Sequence, residues 1–244
     1  MLETSEKTIA EIVRNDHRTA DVFKKWGINF CCGGNLPLKE VCILQQLNQE
    51  DVEADLYRAV QTVYLPRATK FDYWSAEFMA DYISHVHHMH LLETMPRLQE
   101  TFEKFINGHK KKYPQLETIQ EVFHLLIAEV MEHTAKEEQS LFPYVKQVSR
   151  AYRDREKYGH LFVRTLSKPL QEVMEADNRR VFALLKELRE AANGYQFPAN
   201  ACTNHQVIYH RLKEVDADLV QHKHLENNIL YPKVIAMEKE LLRL

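Results

Sequence analysis

The 244-residue chain is 45% hydrophobic with only 6 Gly and 8 Pro, and its 32 Lys and Arg nearly balance 35 Asp and Glu for a net charge of −3. That composition excludes a disordered or fibrous chain and leaves ample length for a buried core. Near-neutral charge makes no electrostatic case for nucleic acid or a membrane surface, and no apolar run approaches the ~18 residues that a spanning helix needs.

The first residues, "MLETSEKTIAEIV", have neither an apolar signal core nor an Arg- and Ser-rich transit pattern. Four cysteines are too few and too irregularly placed for a disulfide framework. The expectation is a reducing, cytoplasmic setting. Short amphipathic pieces follow in chain order. Ser5 is placed to cap "EKTIAEIVR", "DHRTADVFKKWG" ends at Gly27, a helix follows Pro37, and Asn48 caps "QEDVEADLYRAVQ". Residues 1–64 thus read as a small helical domain, and the polar, Pro-containing stretch at 65–73 as a linker.

Residues 74–244 carry four long helical patterns, from about Tyr73 to Asn107, Gln115 to Val148, Lys168 to Ala192 and Asn204 to Leu242. The basic run "HKKKY", His109 to Tyr113, falls at a helix–helix turn and reads as solvated. The second helix shows one buried stripe: Leu116, Ile119, Phe123, Leu126, Val130, then His133, Glu137 and Leu141. The fourth repeats it with Ile208, Leu212, Val215, Leu219, then His222, Glu226 and Leu230. Steps of three and four define one helix face. Short connections between long helices predict an all-α, up-down-up-down four-helix bundle.

The two stripes belong to an internal repeat. "HTAKEEQSLFPYV" from His133 and "HKHLENNILYPKV" from His222 share H-x3-E-x3-L-[FY]-P-x-V at an offset of 89 residues. Two copies of one helical hairpin imply halves related by a pseudo-twofold axis. A single buried His–Glu pair is ordinarily a hydrogen-bonded core pair. Two identical pairs converging in one core point to a metal site, because bundle interiors build such sites from inward-facing carboxylates and imidazoles. The first helix adds "SHVHHMHLLETMP", in which His88 shares the stripe of Asp81, His85, Leu92 and Met95. His85 is open to a ligand or supporting role, while His87 and His90 default to solvent or support.

The loop "INFCCGGNLPL", "HTAKEEQSLFP" and the stretch from "ACTNHQVIYH" to "HKHLENNILYP" together resemble the iron–sulfur cluster repair di-iron proteins, the repair-of-iron-centres family. The resemblance spans essentially the whole chain. It implies a haemerythrin-like bundle behind a double-cysteine N-terminal domain, with a non-haem di-iron centre held by His88, His133, Glu137, His222 and Glu226. It further implies a stress-response role in the cytoplasm: repair of iron–sulfur clusters damaged by nitric oxide or oxidants, through iron donation, nitric oxide binding or both. Damaged iron–sulfur proteins would be the partners, nitric oxide or oxygen the small ligands, and a homodimer the expected assembly if the chain self-associates.

The family's third helix supplies a histidine that this chain lacks. Alignment puts Asn178 there, the internal repeat counted from His88 gives Asp177, and His160 in "DREKYGHLF" is a third option. An asparagine carbonyl replaces imidazole poorly, so two iron ions are expected with one weakly held. Cys31 and Cys32, followed by Gly33 and Gly34, read as redox or iron-transfer thiols, and Cys42 and Cys202 as structural. Reductive coupling of nitric oxide to nitrous oxide and haemerythrin-like oxygen binding or sensing are the alternative functions, so whether the chain is an enzyme stays open.

Overall fold

The computed structural model describes residues 5–30, 34–61, 70–164 and 170–243, without the side chains of Phe162 and residues 171–178. Cys31 and Cys32 lie outside the described residues. Among those residues there is no β-strand, only a single antiparallel bridge between Thr8 and Pro37. The contacts divide the chain into two units, Met1–Arg67 with Tyr195–Leu212, and Ala68–Gly194 with Lys213–Leu244.

The first unit carries α1 (Ile9–Asn15), α2 (Thr19–Lys25), α3 (Leu38–Leu44) and α4 (Gln49–Val60). Thr8, not Ser5, caps α1. Its hydroxyl accepts from the Glu11 amide at 3.2 Å, and the Glu11 carboxylate accepts from the Thr8 amide at 2.9 Å. This reciprocal box satisfies two amides that a helix start leaves unpaired. Asn48 caps α4 as the sequence predicts, accepting from the Glu50 amide at 3.0 Å. Ile9, Ile12, Phe23, Leu38, Cys42, Val52, Leu56 and Val207 share one apolar core. Asp55 ties α4 to α2, accepting from the Trp26 indole at 2.9 Å and from Lys25 at 2.7 Å.

Gly34 lies where two backbones approach. Its carbonyl accepts from the Ala10 amide at 2.9 Å, and an added Cβ would sit 2.4 Å from the Phe30 carbonyl oxygen and 3.0 Å from Ala10 Cβ. Gly34→Ala is therefore expected to destabilise the protein by about 1–3 kcal/mol, the usual cost of overpacking. Gly108 in the last turn of the bundle's first helix faces open space. Gly108→Ala is the matched control, expected to stabilise by about 0.4–1 kcal/mol through a less flexible unfolded chain. Thermal unfolding of the two variants should move in opposite directions.

The second unit carries the four runs of the helical bundle, the fourth of them from Lys213 onward. Its first run is α5 (Ala76–Tyr82), a π-helical turn (Ile83–His88) and α6 (Met89–His109). The second is α7 (Gln115–Lys136), a π turn (Glu137–Leu141) and α8 (Phe142–Arg153), followed by the short α9 (Gly159–Val163). The third is α10 (Leu170–Ala191). The fourth is α11 (Thr203–Leu225), a π turn (Glu226–Leu230) and α12 (Tyr231–Leu241). α6 lies along α7 while α5 lies along α8, so the first two runs are antiparallel; α7 also borders α10, and the last π turn meets α5. The core around the last turns contains Met79, Ile83, Phe142, Val145, Leu230, Tyr231 and Val234. Phe71 and Trp74, at the end of the expected linker, pack onto it. Phe78 is 52% exposed on α5.

Three π turns interrupt the runs at the histidines and glutamates singled out above, and the sequence reading did not anticipate them. The Phe142 amide reaches the Glu137 carbonyl and the Tyr231 amide reaches the Glu226 carbonyl, five residues back in each case. A proline follows directly, Pro143 or Pro232. Proline has no amide to donate, and its ring clashes with the carbonyl four residues earlier in a regular helix. One widened turn relieves both problems, and such turns recur where helices carry functional side chains. Among the described residues no helix is long and apolar enough to cross a membrane.

Candidate metal centre

The bundle core brings four ionisable side chains together, all essentially buried: His88 from the first run, Glu137 from the second, His222 and Glu226 from the fourth. One donor atom from each lies within 4.8 Å of all the others. His88 Nε2 is 3.2 Å from His222 Nε2 and 3.3 Å from Glu137 Oε2. His222 Nε2 is 2.6 Å from Glu226 Oε1 and 3.8 Å from Glu137 Oε2. The i, i+4 spacing sets the His222–Glu226 pair on one face, as the sequence predicts.

His133 joins this core from α7, 7% exposed, with Nε2 2.9 Å from Glu137 Oε1 and 3.9 Å from Glu226 Oε2. Its immediate neighbour is a residue that sequence reasoning passed over. Lys223 is 1% exposed. Its ammonium donates to His133 Nε2 and to Glu226 Oε2, the latter at 2.7 Å, and lies 3.9 Å from Glu137 Oε1.

Three further side chains support the donors. Glu138, half exposed at the rim, accepts from His88 Nδ1 at 2.6 Å. That bond places the ring proton on Nδ1 and turns the Nε2 lone pair inward. Tyr231 donates its hydroxyl to Glu137 Oε1 at 2.7 Å. His87 is buried against Asp218 at 3.0 Å, with its ring stacked on His222 at 5.8 Å between centroids. Adjacent residues His87 and His88 both face inward because the π turn at 83–88 rotates them differently from a regular helix. His85 is exposed and bonds to the Asp81 carbonyl, and His90 is exposed. His160 sits half-buried on α9, outside the four-residue group. The side chains of Asp177 and Asn178, the helix-three alternatives, lie outside the described residues.

The protonation states suit cation binding. Burial and the neighbouring Glu226 oppose ionisation of Glu137, but Lys223, His133 and His88 outweigh them and hold its pKa below the ordinary carboxylate value. Glu226 is likewise opposed by burial, yet His222 and Lys223 hold it well below. Burial pushes the His222 pKa down, against the pull of Glu226. At His88 burial also works against charge, but Glu137, Glu138 and Glu226 together raise its pKa. Without a metal, a proton is the cation these carboxylates draw to His88. Two imidazole nitrogens facing each other at 3.2 Å between ionised carboxylates form a mixed N/O donor set that fits iron, manganese or zinc.

Comparison with known proteins agrees with this geometry. Residues 79–234 match the model of the hemerythrin HHE cation binding domain, and residues 5–60 match that of ScdA_N, a domain of unknown function (DUF542). The iron-sulfur cluster repair protein ScdA of Staphylococcus haemolyticus is 28% identical over 234 residues, which is 94% of this chain and 98% of that protein. The iron-sulfur cluster repair proteins YtfE of Enterobacter sp. (strain 638) and of Escherichia coli O17:K52:H18 are 26% and 27% identical over 238 residues, 96% of this chain and 98% of each relative.

Proposed function

Because the chain belongs to the hemerythrin HHE cation-binding family, we propose that it repairs iron–sulfur clusters damaged by nitrosative or oxidative stress in the cytoplasm, handing on non-haem iron held among His88, Glu137, His222 and Glu226, with His133 in the same core. The observation that carries this reading is the buried four-donor group, His88, Glu137, His222 and Glu226, with one ligand atom of each within 4.8 Å of the others. The repair role of the curated relatives supports it, since the likeness covers both parts of the chain.

Iron bound here would supply an exchangeable ion for a cluster and an open position for nitric oxide. The chain's own residues set how tightly it is kept. Glu138, 43% exposed, is the solvent-side contact of His88 and can yield to water or a client side chain. Tyr231, itself buried, holds Glu137. Release is therefore easier through the His88 and Glu138 edge than through the Tyr231 edge. Cys31 and Cys32 would receive or relay the ion, and damaged iron–sulfur proteins would accept it.

The test is to incubate iron-loaded protein with an iron–sulfur dehydratase inactivated by nitric oxide. Recovery of dehydratase activity should be faster than with metal-free protein at the same total iron. Equal rates would eliminate donation by this chain.

A further inference from the structure

The internal repeat predicts two equivalent cation positions, one beside each His–Glu pair. In the structure the two sides differ. Beside His222, the buried carboxylates and His88 converge on one four-residue group with no ammonium or guanidinium among its members. Beside His133, the Lys223 ammonium stands among His133 Nε2, Glu226 Oε2 and Glu137 Oε1, three of the atoms a second metal ion would need. The repeat's counterpart of Lys223 is Thr134. Thr134 is short and neutral, buried at 1%, and its hydroxyl is turned back onto its own helix at the Met131 carbonyl, 3.2 Å away. One half of the duplicated core carries a built-in cation and the other does not.

We propose that Lys223 replaces the second metal ion, so that the core takes a single iron, held by His88, Glu137, His222 and Glu226, beside a fixed ammonium. This deepens the repair reading above and rests on it. An ammonium cannot share its place with a metal, because nitrogen within hydrogen-bond distance of the same oxygens occupies the space that the ion requires. His133 then serves as an acceptor for Lys223. A core limited to one iron retains a releasable ion and a place for one diatomic ligand, while coupling two nitric oxide molecules between paired irons is closed to it.

The experiment is anaerobic loading of the full chain with excess ferrous iron, desalting, and measurement of iron per chain with the spin state of the oxidised centre. The wild type is expected to keep one iron and show an isolated high-spin ferric signal. Lys223→Met is expected to keep two irons and to lose that signal through coupling of the pair. Two coupled irons in the wild type, or one iron in both proteins, would overturn the proposal while leaving iron binding intact. No retained iron in the wild type would instead bring down the repair reading itself, and this inference with it. The wild-type count decides even where Lys223→Met folds poorly, and Lys223→Arg, which keeps the charge, should stay at one.

Discussion

Glu226→Ala is expected to destabilise the metal-free protein by about 3–5 kcal/mol, the cost of breaking a buried ion pair by removing one partner. Glu226 is completely buried and receives both Lys223, at 2.7 Å, and His222, at 2.6 Å. Truncation leaves the Lys223 ammonium at 1% exposure with, among the described residues, only the His133 nitrogen in hydrogen-bond reach and Glu137 farther off, at 3.9 Å. The loss exceeds that of an exposed pair such as Arg97–Glu93, whose removal should change stability by no more than about 1 kcal/mol. Denaturant unfolding of chelator-treated protein measures both. The double variant Lys223→Met with Glu226→Gln removes both charges at similar volume and should recover most of the loss, because replacing a buried pair outright is often neutral. A loss below about 1 kcal/mol for Glu226→Ala would mean that Lys223 reaches water instead.

The contrast between Glu226 and Lys223 explains what could be read from the sequence and what could not. The His133/Glu137 and His222/Glu226 pairs were legible because each interrupts an apolar stripe at helical spacing, and because the interruption occurs twice with the same flanking residues. The ends of the four runs followed from the same periodicity, to within a few residues. Lys223 carries no comparable signal. It sits one residue from His222 and four from Leu219, within the width of a core-facing stripe. A long lysine there reads by default as reaching solvent, since its stem can lie over apolar surface while its head stays wet. His133 and Glu137, brought in by another helix, show that it turns inward. Glu138 is similar: beside Glu137 it reads as a solvated neighbour, and its role depends on where His88 arrives. The two π turns that start at Glu137 and Glu226 had a local signal, the proline six residues after each glutamate, but a proline also marks an ordinary helix start. At the N-terminus the Thr8–Glu11 box is likewise written in the sequence, as T-x-x-E, and the nearer serine diverted the reading to Ser5.

The second large effect separates the histidines. His222→Ala is expected to lower iron affinity by more than about 100-fold, since loss of even a supporting partner of a ligand typically costs about 10–100-fold. His222 Nε2 is aimed at Glu226, Glu137 and His88 at once, so no neighbouring group replaces it. Glu138→Gln removes the charge that fixes the His88 ring but leaves an acceptor, and should fall within that supporting range. His133→Ala should cost less than about 10-fold, because its Nε2 faces Lys223 and the remaining four-donor group is complete without it. Competition against a ferrous chelator ranks the three variants, and thermal unfolding gives an independent reading. At iron concentrations 1,000 times the dissociation constant, binding stabilises the native protein by about 4 kcal/mol. His222→Ala should forfeit at least about two-thirds of that gain and His133→Ala should keep most of it. If His133→Ala loses iron as completely as His222→Ala, the two halves of the core hold metal alike, and Lys223 must move aside when the ion enters.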